Sequence, residues 1–138
     1  MNDTYVLDAC ALIAFLRDEP GADRVVTVLT NARDGKGKIH VNVINLVEVY
    51  YDIYRAVGKA KADEEIAMIK KLPIVIQTEI TDKIFAEAGR LKAFYKISFA
   101  DSFALAQAIV SGGELLTSDH HEFEALQGKE DIRIGWIR

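Results

Sequence analysis

The chain has 138 residues, of which half are apolar and 28% are charged, a composition that predicts one globular domain over residues 1–138 and excludes a disordered chain. Its 17 Lys and Arg against 21 Asp and Glu give a formal net charge of −4, which argues against a broad basic surface that binds nucleic acid by charge alone. The apolar stretch from Ala9 to Leu16 is too short to span a bilayer and no basic leader precedes it, so we expect neither membrane insertion nor secretion.

Short β-type runs alternate with amphipathic helices along the chain. The pattern predicts, in order, a strand over 4–7, a helix from Ala9 to near Pro20, a helix over 22–33, a loop over 34–37, a strand over 39–43, a helix that Asn42 caps and Gly58 ends, a helix over 60–72, a strand over 73–77, helices over 81–95 and 100–110, a strand over 114–117, a short helix or turn over 120–126, and a strand over 131–136. Strands separated by helices imply a central parallel sheet, here of about five strands, with helices on both faces. The predicted fold class is therefore a single α/β/α domain.

Four acidic residues occupy positions where such a sheet binds ligands. Asp8 and Asp119 directly follow predicted strands, and the carboxyl ends of strands are where open α/β sheets hold their ligands. Asp101 opens the helix before the fourth strand, and Glu48 lies about two turns into the helix after the second strand. These four residues are the candidate site.

Each of these acids also has a purely structural interpretation. Asp8 can cap the helix that begins at Ala9. Asp101 fits a capping box with Ser98, and Asp119 fits another with Glu122. Taken singly, the structural interpretation is favoured for each.

The neighbours of Glu48 argue against a place on a solvated helix face. The segment Asn45-Leu46-Val47-Glu48-Val49-Tyr50-Tyr51 is mostly bulky and apolar, and no Lys or Arg follows Glu48 before Arg55. A packed, ionised carboxylate needs a partner, and Asp101, flanked by Phe99 and Phe103, has the same need. Buried carboxylates without cationic neighbours are commonly metal ligands or acids of raised pKa.

A cluster of these acids would require cations. Two like charges about 4 Å apart repel by roughly 4 kcal/mol at an effective dielectric constant near 20. Oxygen donors without His or Cys select Mg²⁺ or Mn²⁺, and one or two such ions would polarise a phosphate and activate water.

Four segments of the chain resemble, in order, the motifs of the PIN-domain family, and within it the VapC-type toxins of toxin–antitoxin pairs. They span residues 5–14 (YVLDACALIA), 45–49 (NLVEV), 97–106 (ISFADSFALA) and 115–123 (LLTSDHHEF). Each motif is weak by itself, but four in order over nearly the whole chain form a specific signal.

This resemblance implies an Mg²⁺- or Mn²⁺-dependent endoribonuclease acting on tRNA, rRNA or mRNA. By analogy with the family, Asp8, Glu48, Asp101 and Asp119 would be both catalytic and metal-binding, and Thr117 would orient a ligand or phosphate. The family also implies a homodimer and a cognate antitoxin that inserts a segment into the active-site groove. Cys10 departs from the small hydroxyl residue that relatives often carry at its position.

Several other residues call for separate predictions. The lone Cys10 excludes an intramolecular disulfide, suits a reducing cytoplasm and is predicted to be a buried structural thiol. His120 and His121 are expected in a partly exposed turn outside the site, and Trp136 in the core or a dimer surface. Arg90, Lys92 and Lys96 could line a groove for RNA, but the favoured interpretation places them on a solvated helix face.

Two other functions are considered. A phosphatase of the haloacid dehalogenase type would use Asp8 as nucleophile, but such enzymes usually carry a second Asp two residues later, where this chain has Cys10. A catalytically silent PIN-like binding or assembly module is the second alternative. Degenerate relatives usually lose at least one acid, whereas all four are present here.

Overall fold

The sheet of the computed structural model, which describes residues 3–138, is five-stranded and entirely parallel. Its strands, in the spatial order β3-β2-β1-β4-β5, are β1 (Asp3–Leu7), β2 (Gly37–Asn42), β3 (Val75–Gln77), β4 (Glu114–Thr117) and β5 (Arg133–Trp136). The predicted α/β class and the strand number are thereby confirmed.

Helices cover both faces of the sheet, as predicted. They are α1 (Ala9–Leu16), α2 (Ala22–Arg33), α3 (Val43–Val57), α4 (Lys59–Lys70), α5 (Asp82–Phe94), α6 (Phe99–Ser111) and α7 (His120–Phe123), followed by a 3₁₀ turn (Glu124–Leu126). Within the described part of the chain, no helix combines the length and the apolar character needed to cross a membrane.

Alternating side chains of the strands fill two separate cores. Leu7 and Leu116 point into the core shared with helices α1 to α4, whereas Val6 and Leu115 point into the core shared with α5 and α6. All four side chains are fully buried. This burial of both faces is what parallel sheets require, and it explains the nearly continuous apolar runs of β1 and β4.

Several strand boundaries differ from the predictions by one or two residues: β1 begins at residue 3 instead of 4, β2 at 37 instead of 39 and β5 at 133 instead of 131. The strand predicted over 73–77 begins only at Val75, because Pro73 lies in a turn in which the Ile74 amide donates to the Leu72 carbonyl at 2.7 Å. The strand predicted over 39–43 ends at Asn42, whose side-chain oxygen accepts from the Ile44 amide at 3.0 Å and so begins α3. The predicted cap is therefore confirmed.

The strand order changes direction between β1 and β4. The chain builds β1, β2 and β3 toward one edge and then returns to place β4 on the other side of β1. Leu7 of β1 is aligned with Leu116 of β4, so the carboxyl ends of these two strands lie side by side. Ligands of open α/β sheets bind at such a change of direction.

Candidate functional site

Asp8 is the first residue beyond β1 and is completely buried. Its Oδ1 accepts a hydrogen bond from the Ala11 amide at 2.9 Å, which confirms it as the cap of α1. Its Oδ2, however, is buried without a hydrogen-bond partner among residues 3–138. Helix capping therefore accounts for one oxygen of this carboxylate and leaves the other unexplained.

Asp101 lies in the first turn of α6, where it is only 7% exposed. Ser98 caps this helix, since its Oγ accepts from the Asp101 amide at 3.1 Å. The backbone of Asp101 thus has the role predicted from the capping pattern. Its carboxylate is drawn into a cluster with two other acids.

Asp101, Asp119 and Glu122 each offer one carboxylate oxygen, and all three oxygens lie within 4.8 Å of one another. Asp119 and Glu122 are half-buried and come from the segment that follows β4. The sequence reasoning did not include Glu122 in the site, because its spacing from Asp119 is that of a capping box.

The capping box around Asp119 is only half formed. Asp119 Oδ1 accepts from the Glu122 amide at 3.1 Å, as predicted. The reciprocal bond would bring the Glu122 side chain to the Asp119 amide, but that amide donates to Thr117 Oγ1 at 3.0 Å. Glu122 is therefore free to turn toward Asp101. The signal that could have identified Glu122 is the presence of a Thr two residues before the cap, Asp119, because its hydroxyl can take the amide that Glu122 would otherwise bind.

Glu48 stands at the border of the cluster. It is half-buried on α3 and lies outside the group of three oxygens that share the 4.8 Å limit. Burial raises its pKa, and the charges of Asp52, Asp119 and Glu122 raise it further. Of the four predicted acids, the structure brings Asp101 and Asp119 into direct proximity, with Asp8 and Glu48 coupled to them through charge.

The electrostatics of the site are those of crowded, unneutralised acids. Burial raises the pKa of Asp8 to about 7, and the Asp119 and Glu48 charges add to this while the Thr117 hydroxyl and the Ala11 amide oppose it. Burial likewise raises the pKa of Asp101 to about 7, with Asp8 as the next cause.

None of the five acids forms a salt bridge with a Lys or Arg of the described chain. The ion pairs of residues 3–138 all involve other carboxylates, such as Asp52, one turn after Glu48, which pairs with Arg17 at 3.0 Å and Arg55 at 3.6 Å. An all-oxygen set of donors with a bare buried oxygen suits Mg²⁺ or Mn²⁺ and does not suit a zinc site of the usual His and Cys composition.

The sequence profile of the PIN domain matches residues 5–129, which includes all five acids. The chain belongs to the PIN-domain family. This is a nuclease family, and the match confirms the resemblance seen in the four motifs. Comparison with curated proteins gives no match.

Solved structures share the whole fold of this PIN domain at low sequence identity. A chain of VapBC2 from Rickettsia felis, bound to a promoter DNA fragment, superimposes with a TM-score of 0.75 at 14% identity, covering 96% of this chain and 98% of the other. DNA-bound VapBC from Salmonella typhimurium gives 0.74 at 16% identity over 100% of both chains. VapC20 of Mycobacterium tuberculosis, a toxin that cleaves the Sarcin-Ricin loop, gives 0.64 at 15% identity, covering 94% and 98%.

Thr117 links two acids of the PIN domain. Its side chain is fully buried, and its hydroxyl accepts from the Asp119 amide. The same hydroxyl lies near enough to Asp8 to lower the pKa of that carboxyl, but it forms no hydrogen bond of normal geometry with Oδ2. The predicted role in orienting a ligand or phosphate stays a prediction. In the structure, the hydroxyl of Thr117 is bound to the backbone amide of Asp119.

Cys10 is partly rather than fully buried, in contrast to the prediction. It lies at the start of α1, where burial and the charges of Asp8, Asp119 and Asp101 raise the pKa of its thiol to about 12. The thiol therefore stays protonated at neutral pH, which agrees with the absence of a nucleophilic role.

The two histidines lie outside the acid cluster, as expected. Both are exposed in α7, and the His120 ring stacks on Trp136 with centroids 4.0 Å apart and planes at 12°. His120 Nε2 also lies 2.8 Å from the Arg138 carbonyl oxygen. Trp136 thus packs partly against the core and partly against a histidine of the PIN domain's last motif.

The basic residues considered for RNA binding differ among themselves. Arg90 is paired with Glu87 at 2.7 Å and with Glu130 at 2.8 Å, so the prediction of a simply solvated side chain is wrong for it. Lys92 and Lys96 are exposed, as the favoured interpretation held. Long-range pairing of Arg90 with Glu130 could not be foreseen from a helical pattern.

Proposed function

We propose that this PIN domain is a divalent-metal-dependent endoribonuclease, the toxin of a VapBC-type pair that acts on cytoplasmic RNA. The observation that carries the proposal is the meeting of Asp101, Asp119 and Glu122 within 4.8 Å, beside the bare Oδ2 of buried Asp8 and without any cationic partner in the described chain. Acids in such a setting are stable in their charged form only when cations join them.

The residues present fit one or two Mg²⁺ or Mn²⁺ ions. Asp101, Asp119 and Glu122 would hold the first, with Asp8 and Glu48 completing the donor set. When bound, such a cation polarises a phosphate oxygen and makes water a stronger nucleophile. The formal net charge of −4 then no longer opposes the approach of a polyanion, because two divalent ions would offset it.

The chain's own residues would position the scissile phosphate and the attacking water. Water would attack phosphorus, the bond from phosphorus to a sugar oxygen would break, and that oxygen would leave with a proton. The protons would exchange with solvent at the half-buried side of the site, where Glu48, Asp119 and Glu122 lie. No protein nucleophile is required, and Cys10, whose thiol pKa is about 12, does not supply one.

The antitoxin is the proposed protein partner. A cavity of about 350 Å³ opens between α1, α3 and α4 and is lined by apolar residues together with three charged ones. This surface, which α3 lines with Ile53 and Val57, would accept an apolar segment of an antitoxin. The lining residues are Ile13, Leu16, Arg17, Ile53, Ala56, Val57, Lys61 and Glu65.

A homodimer is the proposed state of the toxin. Phe85 and Phe99 are 73% and 63% exposed, and both line an apolar cavity of about 460 Å³ between α5 and α6. Phe99 also lines a second cavity of about 380 Å³ that reaches Glu48. We expect sedimentation to show a dimer for the wild type and a monomer for Phe85→Glu, whereas a monomeric wild type would contradict this part of the proposal.

Cleavage of labelled tRNAs and rRNA fragments tests the activity. Purified protein would be assayed with Mg²⁺, with Mn²⁺ and with EDTA, beside Asp101→Asn and a matched control, Asp131→Asn, in which an exposed acid at the opposite end of the sheet is changed. Defined cuts that need metal, persist in Asp131→Asn and vanish in Asp101→Asn are the expected result.

Other outcomes of the cleavage assay would overturn the proposal. Cuts that persist in Asp101→Asn would mean that another nuclease is responsible. Binding of Mn²⁺ by calorimetry without cleavage of any RNA would indicate a catalytically silent PIN-like module.

A further inference from the structure

Asn45 connects the two helices that carry Glu48 and Asp101. It lies one turn before Glu48 on α3 and its side chain is fully buried. Its Nδ2 donates to the carbonyl oxygen of Ala100, the residue before Asp101, at 3.0 Å. This hydrogen bond thus joins the backbone next to Asp101 to the turn of α3 that carries Glu48.

The bond spans the two layers of the fold. Helix α3 packs mainly in the core with α1, α2 and α4, whereas α6 packs in the core with α5, so these helices are anchored on opposite faces of the sheet. Small shifts of either layer would change the separation of Glu48 and Asp101. Metal sites hold their ligands through such surrounding hydrogen bonds, and loss of one typically costs 10- to 100-fold in affinity, as an order of magnitude.

The other half of the Asn45 amide is left without a partner. Its Oδ1 is buried and has no hydrogen bond within residues 3–138. A buried, unpaired oxygen destabilises the fold, so an apolar residue of this size would pack here with less penalty. Stability alone therefore does not explain an amide at this position, and its donor toward Ala100 is what an apolar residue would lack.

A second amide contact between the same helices provides a comparison. Asn42, at the start of α3, donates through Nδ2 to Gln107 Oε1 at 3.1 Å, and both side chains are buried. Gln107 lies six residues beyond Asp101 on α6, away from the acids. The contact has the same chemistry but does not border the site.

We propose that Asn45 is a positioning residue that fixes Glu48 relative to Asp101 and thereby sets the affinity of the site for divalent cations. The inference rests on the proposed metal site. Asn45 itself would not contact the substrate.

The test compares Mn²⁺ affinity in Asn45→Leu, Gln107→Met and the wild type by calorimetry at low temperature, with circular dichroism to verify folding. Both substitutions keep side-chain size and remove one buried bond between α3 and α6. We expect Asn45→Leu to weaken Mn²⁺ binding about tenfold or more and Gln107→Met to leave it within about twofold. Cleavage by Asn45→Leu should then need proportionally more Mn²⁺ and approach the wild-type rate at saturation.

Asn45→Asp provides a second variant in case Asn45→Leu does not fold. It keeps the shape of the side chain and removes the donor to Ala100, while its added negative charge alone would strengthen cation binding. A weaker affinity in this variant is expected and would support the inference. Unchanged or tighter Mn²⁺ binding in the folded variants would overturn it, whereas a wild type that binds no Mn²⁺ would overturn the proposed metal site itself.

Discussion

The burial of Asp8 makes the metal-free protein sensitive to pH. The pKa of this carboxyl rises from an ordinary value of 3.8 to about 7. Between these values the folded chain keeps a proton that the unfolded chain releases, so the contribution of Asp8 to stability is greatest below about pH 4 and is lost as pH rises through 7. A difference of about three pKa units corresponds to roughly 4 kcal/mol lost from this one group.

Replacing Asp8 by Asn should raise the free energy of unfolding at alkaline pH and leave it equal or lower at acid pH. The amide oxygen can still accept from the Ala11 amide, since Asn and Asp cap helices about equally well. The substitution removes the negative charge of Asp8, which is the largest cause after burial of the raised pKa of Asp101. An imperfectly paired amide NH₂ in place of Oδ2 would cost about 1–3 kcal/mol, which leaves a net gain on the order of 1–3 kcal/mol at pH 8.5.

Urea denaturation in EDTA at pH 4.5 and pH 8.5 measures this difference. We expect Asp8→Asn to be more stable than the wild type at pH 8.5 and equal or less stable at pH 4.5. Adding Mn²⁺ at about 100 times its Kd should stabilise the wild type by about 2.7 kcal/mol and the variant by much less. A variant that is less stable than the wild type at both pH values would refute the account of Asp8 as a destabilised acid.

Three further predictions concern other parts of the chain. Because the pKa of the Cys10 thiol is about 12, iodoacetamide at pH 8 should label it far more slowly in the native protein than in urea, and equal rates would contradict its protonated state. Gly21→Ala should destabilise the fold by roughly 1–3 kcal/mol more than Gly35→Ala in urea melts, because both glycines have positive φ but only at Gly21 would a Cβ meet a backbone atom, the Ile137 oxygen at 2.6 Å. Thr117→Val should cost about 1–3 kcal/mol by leaving the Asp119 amide without its acceptor, and Thr117→Ser should restore most of that stability; equal melts for the two variants would count against this role.

Local chemistry made much of this fold predictable. Asp8 and Asn42 mark helix starts because their short side chains cap the backbone, and both caps are present in the structure. Burial of both sheet faces left apolar runs that a pattern can detect. The order of the strands had no such local signal, because it depends on which strand edges pair.

The features that the sequence did not predict depend on contacts between distant segments or on two acceptors that compete for one backbone amide. Glu122 fits a capping box by spacing, and only the capture of the Asp119 amide by Thr117 releases its carboxylate. The pairing of Arg90 with Glu130 joins residues 40 positions apart. Neither outcome follows from the periodicity of a single helix.

The pairing of β4 with β1 brings together acids that are synthesised far apart in time. Asp8 and Glu48 are made early, but Asp119 and Glu122 follow β4, which comes after β1, β2 and β3 in the chain. A nascent chain that has not yet exposed β4 carries fewer than half of the acids that meet at 4.8 Å. The cluster of three acids is therefore complete only when the segment after β4 has been added to the sheet that β1 begins.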